Sequence, residues 1–238
     1  ICRRTVMMKK ILVTGANRGL GLGLVKKFLK NNEKVICTTR NISKSKELIL
    51  CKEKYNDNLE ICELDLLDKD SPNILSNFLG DETIDLFINN AGVIGHSAQH
   101  FKSVSSNHWL EVLKVNLIAP LLITQSIIKN IEKSSERKIY FISSKVGSIE
   151  DNKSGGMYIY RSSKTALNQV VKSLSIDLKP LGISVISLHP GWVRTEMGGP
   201  NALISVEESV NGMVDVISNT SIINSGQFIN YDGTRLPW

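Results

Sequence analysis

The sequence lacks most of what would take it out of the ordinary globular classes. No unbroken apolar run reaches the roughly 18 residues that a membrane-spanning helix needs, so no span is expected. Residues 1–7 carry basic side chains but no apolar stretch follows them, so a secretory signal is not expected. They read as a leader or tag remnant ahead of a fold that begins at Met8. Cysteine is scarce, at Cys2, Cys37, Cys51 and Cys62 only. None forms a Cys-x-x-Cys pair and no histidine is spaced to complete a zinc site, so no metal is expected. Free thiols in a reducing cytosol are the expectation, which places the protein in the cytoplasm. The lysines are spread through helical segments and do not cluster with aromatics, so a nucleic-acid surface is not indicated. No repeat, low-complexity linker or shift in composition divides the chain, and residues 8–238 read as one domain.

What is present is an ordinary globular mix: 238 residues, 42% hydrophobic, 22% charged, with a net charge of +6. Such a chain can bury a sizeable core without disulfides. Short β-branched apolar runs alternate with segments of helical period. Strands are expected at residues 10–14, 35–39, 59–64, 84–89, 138–143, 183–189 and 227–230. Helices are expected at 19–31, 43–54, 71–79, 105–131, 157–178 and 206–218. Ser71 is placed to cap the third, with Pro72 at its first helical position, and Pro120 interrupts the fourth. Alternating strands and helices mean βαβ units. The expected fold is a three-layer, doubly wound α/β Rossmann fold, a seven-stranded parallel sheet with helices on both faces. Ligands of such sheets bind beyond the carboxyl ends of the strands.

The residues at those ends fall into a series. The first strand runs into Thr14-Gly15-Ala16-Asn17-Arg18-Gly19-Leu20-Gly21 and then directly into a helix. Glycines let backbone N–H groups approach a phosphate, and the helix N-terminus adds partial positive charge, so dinucleotide binding is expected. The second strand ends in Thr39-Arg40, and no acidic residue occurs from Cys37 to Ser43 to hold a free ribose 2′-hydroxyl. Arg40 instead offers a planar cation suited to a 2′-phosphate, and Arg18 could clamp its other side, which favours NADP(H) over NAD(H). Asp65, followed by Leu66, can accept from an adenine amino group or cap a turn. Asn89-Asn90-Ala91-Gly92 lets the backbone pass close to a cofactor, or serves structure alone. Asn116 is a poor helix-interior residue, flanked by Leu113, Leu117 and Pro120; a distorted helix there could hold a water. Ser143 and Ser144 end the fifth strand, and Pro190-Gly191-Trp192-Val193-Arg194-Thr195 follows the sixth.

Tyr160 and Lys164 lie four apart on a helix and so share a face. A free tyrosine, with a pKa near 10, is a poor acid at neutral pH, and a nearby ammonium pulls that pKa down. Alone the pair carries little, because Tyr-x-x-x-Lys arises easily by chance; the series of strand ends is what gives it weight.

From Met8 to its end the chain resembles the short-chain dehydrogenase/reductase family of ordinary length. The resemblance rests on Thr14 to Gly21, Asn89 to Gly92, Tyr160 with Lys164, and Pro190 to Thr195. It implies a catalytic tetrad of Asn116, Ser144, Tyr160 and Lys164. It implies pyrophosphate binding by the glycine loop, nicotinamide contacts from Pro190, Gly191, Val193 and Thr195, and a homodimer through the two long helices. Within the family, residues 156–164 and the ending Tyr231 to Trp238 are similar to the C-factor and sniffer-type carbonyl reductases. The implied activity is NADPH-dependent reduction of an aldehyde, ketone or quinone. NAD-linked alcohol oxidation, or a cofactor-binding signalling module with little turnover, are the alternatives. The gap from Ser144 to Tyr160 is longer than the family's usual one, so residues 149–155 form an extended loop, and either Ser143 or Ser144 could face the substrate. Val146, Trp192 and Met197 are expected beside the substrate, with 192–203 as a mobile lid.

Overall fold

Each central strand is apolar on both sides, as a parallel sheet covered by helices requires. In the computed structural model, which describes residues 8–238, β1 (Lys10–Val13) shows the division. Ile11 and Val13 enter one core layer, while Leu12 enters the other. β2 (Lys34–Thr39) repeats it, with Val35 and Cys37 on the first side and Ile36 on the second. The first layer is completed by α1 (Gly19–Lys30), α2 (Lys46–Tyr55) and α7 (Val206–Asn219). The second is completed by α3 (Ser71–Leu79), α5 (Ala119–Glu132) and α6 (Tyr158–Asp177). The remaining strands are β3 (Leu59–Glu63), β4 (Leu86–Asn89), β5 (Lys138–Ile142), β6 (Ser184–His189) and β7 (Phe228–Asn230).

All seven strands are parallel, in the order β3-β2-β1-β4-β5-β6-β7. The chain winds outward from β1 to β3, then returns to the other side of β1 at β4. That reversal opens a crevice between the carboxyl ends of β1 and β4, where a doubly wound sheet binds its ligand.

Several expectations needed correction. Ser71 is the first residue of α3, preceded by Asp70, and does not cap it by its side chain. Residues 43–45 stay out of α2 because the Asn41 carboxamide accepts from Ser43 Oγ and Lys44 N, an Asx turn that competes with the helix. Residues 105–131 are not broken at Pro120. The irregularity is a π-helical turn at Lys114–Ile118, between α4 (Ser106–Leu113) and α5, and Pro120 sits harmlessly in the first turn of α5. By length and composition residues 106–132 would also suffice to cross a membrane. Here Ile123, Ile127 and Ile131 of that run pack into the second core layer. The expected leader and Cys2 lie outside the described residues. Cys37, Cys51 and Cys62 are free and buried; burial pushes the Cys37 thiol up to about 12 and that of Cys62 up to about 11, so neither is a thiolate at neutral pH.

Candidate active site

The glycine loop is built to close tolerances. Gly15 and Gly19 have φ of +67° and +55°, a region that side chains disfavour. A Cβ on Gly21 would lie 2.2 Å from Gly15 O and 2.6 Å from Asn90 Nδ2. Gly21 is therefore buried behind the loop and serves its packing, whereas Gly15, Asn17, Arg18, Gly19 and Leu20 line the cleft. Asn90 staples the loop from β4: its Nδ2 donates to Thr14 O and Gly15 O, both at 2.9 Å, while Thr14 Oγ1 accepts from Asn90 N and Ala91 N. α1 then begins with no acidic residue in its first turn, leaving its N–H groups and dipole to an anion.

The cleft beyond these strand ends encloses about 990 Å³, at the upper end of the range for small-molecule sites. Arg40, Asp65, Leu66, Asn90, Ala91 and Gly92 line it as the sequence suggests, and Tyr160, Lys164, Pro190, Thr195 and Met197 line its other end. The Asp65 carboxylate closes a local turn by accepting from Leu67 N at 3.0 Å. Arg18 forms an ion pair with Glu196 across the cleft mouth, so it is not aimed at Arg40. Gly191 and Val193 stand behind the wall: Gly191 packs on Tyr231, and Val193 is buried in a bridge with Ile204.

The four residues of the expected tetrad converge. Asn116, in the π turn, has its carboxamide matched by backbone: Oδ1 accepts from Val93 N and Nδ2 donates to Val93 O, both at 2.8 Å, with a further bond to Ser163 Oγ. Gly92 packs closely beside this pair: a Cβ there would stand 3.3 Å from Asn116 Oδ1 and 3.5 Å from Lys164 Nζ. Lys164 is buried and donates to Ile142 O at 2.8 Å; loss of water around it brings its pKa down to about 8. The Tyr160 ring lines the cleft, and burial of its hydroxyl raises the pKa to about 12 against a hydrogen bond with Ser144. The expected lowering by Lys164 is absent here, because Nζ stands 5.9 Å from the tyrosine ring centroid and is committed to Ile142 O.

The structure separates the two serines. Ser143 lines the cleft but commits its Oγ to Asn168 Oδ1 at 2.7 Å, whereas Ser144 lies off the cleft wall, where its Oγ accepts from Val146 N and the residue bonds with Tyr160. Val146 and Trp192 are not part of the cleft wall. The Val146 carbonyl accepts from Arg161 Nη1, and the Trp192 indole donates to Gly198 O. Residues 192–203 are pinned besides by Arg194 Nη1, which donates to Ala202 O and Leu203 O.

Two supporting residues escaped sequence reasoning. Gln99 Oε1 accepts from Tyr160 N at 2.8 Å, while its Nε2 donates to Ile94 O and His96 O. Asn168 Oδ1 accepts from both Ser143 Oγ and Ser187 Oγ, joining β5, β6 and α6. Nothing in the local sequence marks either. Among the described residues no three His, Cys, Asp or Glu side chains gather as a metal site would need.

His189, at the end of β6, has a buried Nδ1 without a partner. Burial, aided by Lys145 and opposed by Asp232, lowers its pKa to about 4. An unfolded histidine titrates near 6.5, so between pH 6.5 and 4 the unfolded chain binds the extra proton. Stability is full above 6.5 and falls as the pH drops through that window. Going from pH 7 to pH 5 should cost about 2 kcal/mol at this residue. Urea unfolding at both pH values checks it: His189→Gln should flatten the dependence, and an unchanged slope would refute the assignment.

A doubly wound sheet with a phosphate cradle, a buried lysine and a tyrosine in one cleft defines a dinucleotide-dependent oxidoreductase. A family model described as short chain dehydrogenase matches residues 9–203. The chain belongs to the short-chain dehydrogenase/reductase family and is an NAD(P)-dependent oxidoreductase. It is 39% identical over 155 residues to the C-signal protein of Myxococcus xanthus, covering 65% of this chain and 93% of that one. The structure of the carbonyl reductase Sniffer of D. melanogaster superposes with a TM-score of 0.92 at 37% identity, covering 97% of this chain and all of that one. An NADPH-bound carbonyl reductase from chicken fatty liver gives 0.88 at 34%, covering 97% and 99%.

Proposed function

We propose that the protein is an NADPH-dependent carbonyl reductase acting on an aldehyde, ketone or quinone. The observation that carries this reading is that Tyr160 and Lys164 line one end of a cleft whose other end is the glycine loop, with Ser144 hydrogen-bonded to Tyr160 behind them. The cradle fits a dinucleotide: Gly15 leaves no room for a Cβ beside Ala91, the start of α1 carries no acid, and Arg40 supplies a cation where a 2′-phosphate belongs.

NADPH, when bound, supplies the hydride. The chain's residues supply position and the proton. Ser144 Oγ and the Tyr160 hydroxyl hold the carbonyl oxygen. Tyr160, protonated at neutral pH by its raised pKa, donates its proton as negative charge develops on that oxygen. Lys164, mostly protonated below about pH 8, stabilises the tyrosinate left behind. Asn116 fixes the Val93 backbone beside Gly92 and so the wall against which Lys164 sits. Similarity to the NADPH-bound chicken liver enzyme supports the choice of cofactor.

Leu110 on α4, Ile118 at the end of the π turn, Leu122 on α5 and Ile176 on α6 are exposed apolar residues, which supports pairing of the long helices in a homodimer. Cytosolic placement is part of the same proposal. The deciding experiment is a panel of aldehydes, ketones and quinones run in parallel with NADPH and NADH. Reduction with NADPH preferred is expected. No turnover with any member, despite tight NADPH binding, would refute the reductase reading in favour of a signalling module.

A further inference from the structure

The long loop between Ser144 and Tyr160 is held by a residue from the far end of the fold. After β7 the chain doubles back, with an antiparallel bridge between Ile229 and Arg235 and a bond from Leu236 N to Phe228 O at 2.8 Å. This brings Trp238 to the loop. Its indole stacks on the buried Phe228 ring, centroids 5.6 Å apart and planes 20° from parallel. Its main-chain oxygen accepts from Ser148 Oγ, Ile149 N and Glu150 N, each at 3.1 Å. Ser148 Oγ in turn accepts from Asp151 N. At the loop's other end Arg161, next to Tyr160, donates to Val146 O and to Ser154 Oγ. Between these ties Asp151 pairs with Lys145 at 3.5 Å, and Lys153 stands exposed at the tip.

We infer that Trp238 is a positioning residue for the carbonyl substrate: by clamping the entry of the 149–155 loop it holds Ser144 in register with Tyr160. The inference rests on the reductase reading. Without the clamp, the backbone amides of Ile149 and Glu150 lose their acceptor, and the loop is tied only through Arg161, the Lys145–Asp151 ion pair and the bond from Asp151 N to Ser148 Oγ. The turn that carries Ser144 backs directly onto the loop, since Lys145–Gly147 is followed at once by Ser148. Arg40 and the glycine loop stand on the other side of the sheet, toward β2 and β1, and Trp238 does not reach them. Its loss should therefore be felt by the carbonyl substrate and not by the cofactor.

The test uses the full chain with Trp238→Ala, Trp238→Phe and Ser148→Ala, with 4-nitrobenzaldehyde and NADPH as probes. Trp238→Ala should raise the aldehyde KM about tenfold, with the NADPH Kd unchanged within about twofold. Amide exchange at Ile149 and Glu150 should quicken by about tenfold, and trypsin should cut after Lys153. Trp238→Phe keeps a stacking ring and should restore KM. Ser148→Ala, which leaves the stack in place, should give a smaller rise in the same direction and serves if Trp238→Ala does not fold. An unchanged KM despite faster exchange would overturn the inference. So would KM, NADPH Kd and melting temperature moving together without rescue by phenylalanine. If the wild type reduces no carbonyl, the reductase reading fails separately. Amide exchange then decides the clamp: quickening in Trp238→Ala supports it and no change overturns it.

Discussion

Replacing Tyr160 with phenylalanine should lower kcat for carbonyl reduction by about 10²–10⁴-fold, the usual worth of a positioned proton donor. That corresponds to roughly 3–5 kcal/mol of transition-state stabilisation. The substitution removes one oxygen and little else. The ring stays, and the main-chain bond from residue 160 to Gln99 Oε1 does not depend on the side chain. NADPH affinity and melting temperature should therefore hold while the rate collapses. The hydroxyl's pKa of about 12 keeps it protonated throughout the neutral range, so the wild-type rate should not fall with rising pH on account of Tyr160 alone. Lys164, with its pKa near 8, is the group expected to set the alkaline limb of the profile. Wild-type turnover in the phenylalanine variant would remove Tyr160 from the mechanism.

Arg40→Asp should reverse the choice of cofactor. Arg40 is exposed at the end of β2, and the adjoining cleft wall holds no carboxylate nearer in sequence than Asp65. A charge-assisted hydrogen bond to a phosphate is worth about 1.5–3 kcal/mol, so its loss alone raises the KM for NADPH about 10–150-fold. The new carboxylate adds repulsion toward a 2′-phosphate and can accept from free ribose hydroxyls, which should improve NADH at the same time. Arg18→Ala should have a smaller effect, since that guanidinium is already engaged with Glu196. Raising the salt concentration should weaken NADPH binding more than NADH binding in the wild type, because the contact is exposed. The ratio of kcat/KM for the two cofactors reads all of this, and an unchanged ratio in Arg40→Asp would show that the 2′-phosphate is held elsewhere.

The sequence was informative where a residue's role is written in its neighbours. β1 is an apolar run closed by glycine, and the strand ends could be placed within a residue or two from such runs. The glycine loop, Arg40 and the Tyr160–Lys164 pair are likewise local patterns. Roles that depend on partners far along the chain were invisible. Gln99 meets Tyr160 across 61 positions and Asn168 meets Ser143 across 25, and neither amide differs in sequence from a solvated one. The choice between Ser143 and Ser144 depended on which way the chain faces as it leaves β5, which spacing does not encode. The direction of the Tyr160 shift is hidden from the sequence for a related reason. A neighbouring lysine can be read from sequence, but the burial that outweighs it cannot. Val146 and Trp192 were assigned to the pocket by apolar character, and backbone hydrogen bonds to Arg161 and Gly198 fix them elsewhere.

The wide turn at Lys114–Ile118 acts as a phase shifter. An α-helix advances about 100° per residue, so one extra residue held in a turn rotates everything after it relative to everything before. Ahead of the turn Val112 faces the cleft; behind it Ile123, Ile127 and Ile131 face the core, and Asn116 looks across at Val93 from between them. Deleting a single residue from this turn would leave two good amphipathic helices whose faces no longer agree. Docking the second half would swing the first away from the cleft, and docking the first would lift the isoleucines from the sheet. The site's asparagine and the alignment of a long helix are thus set by the same surplus residue, and neither can be adjusted without the other.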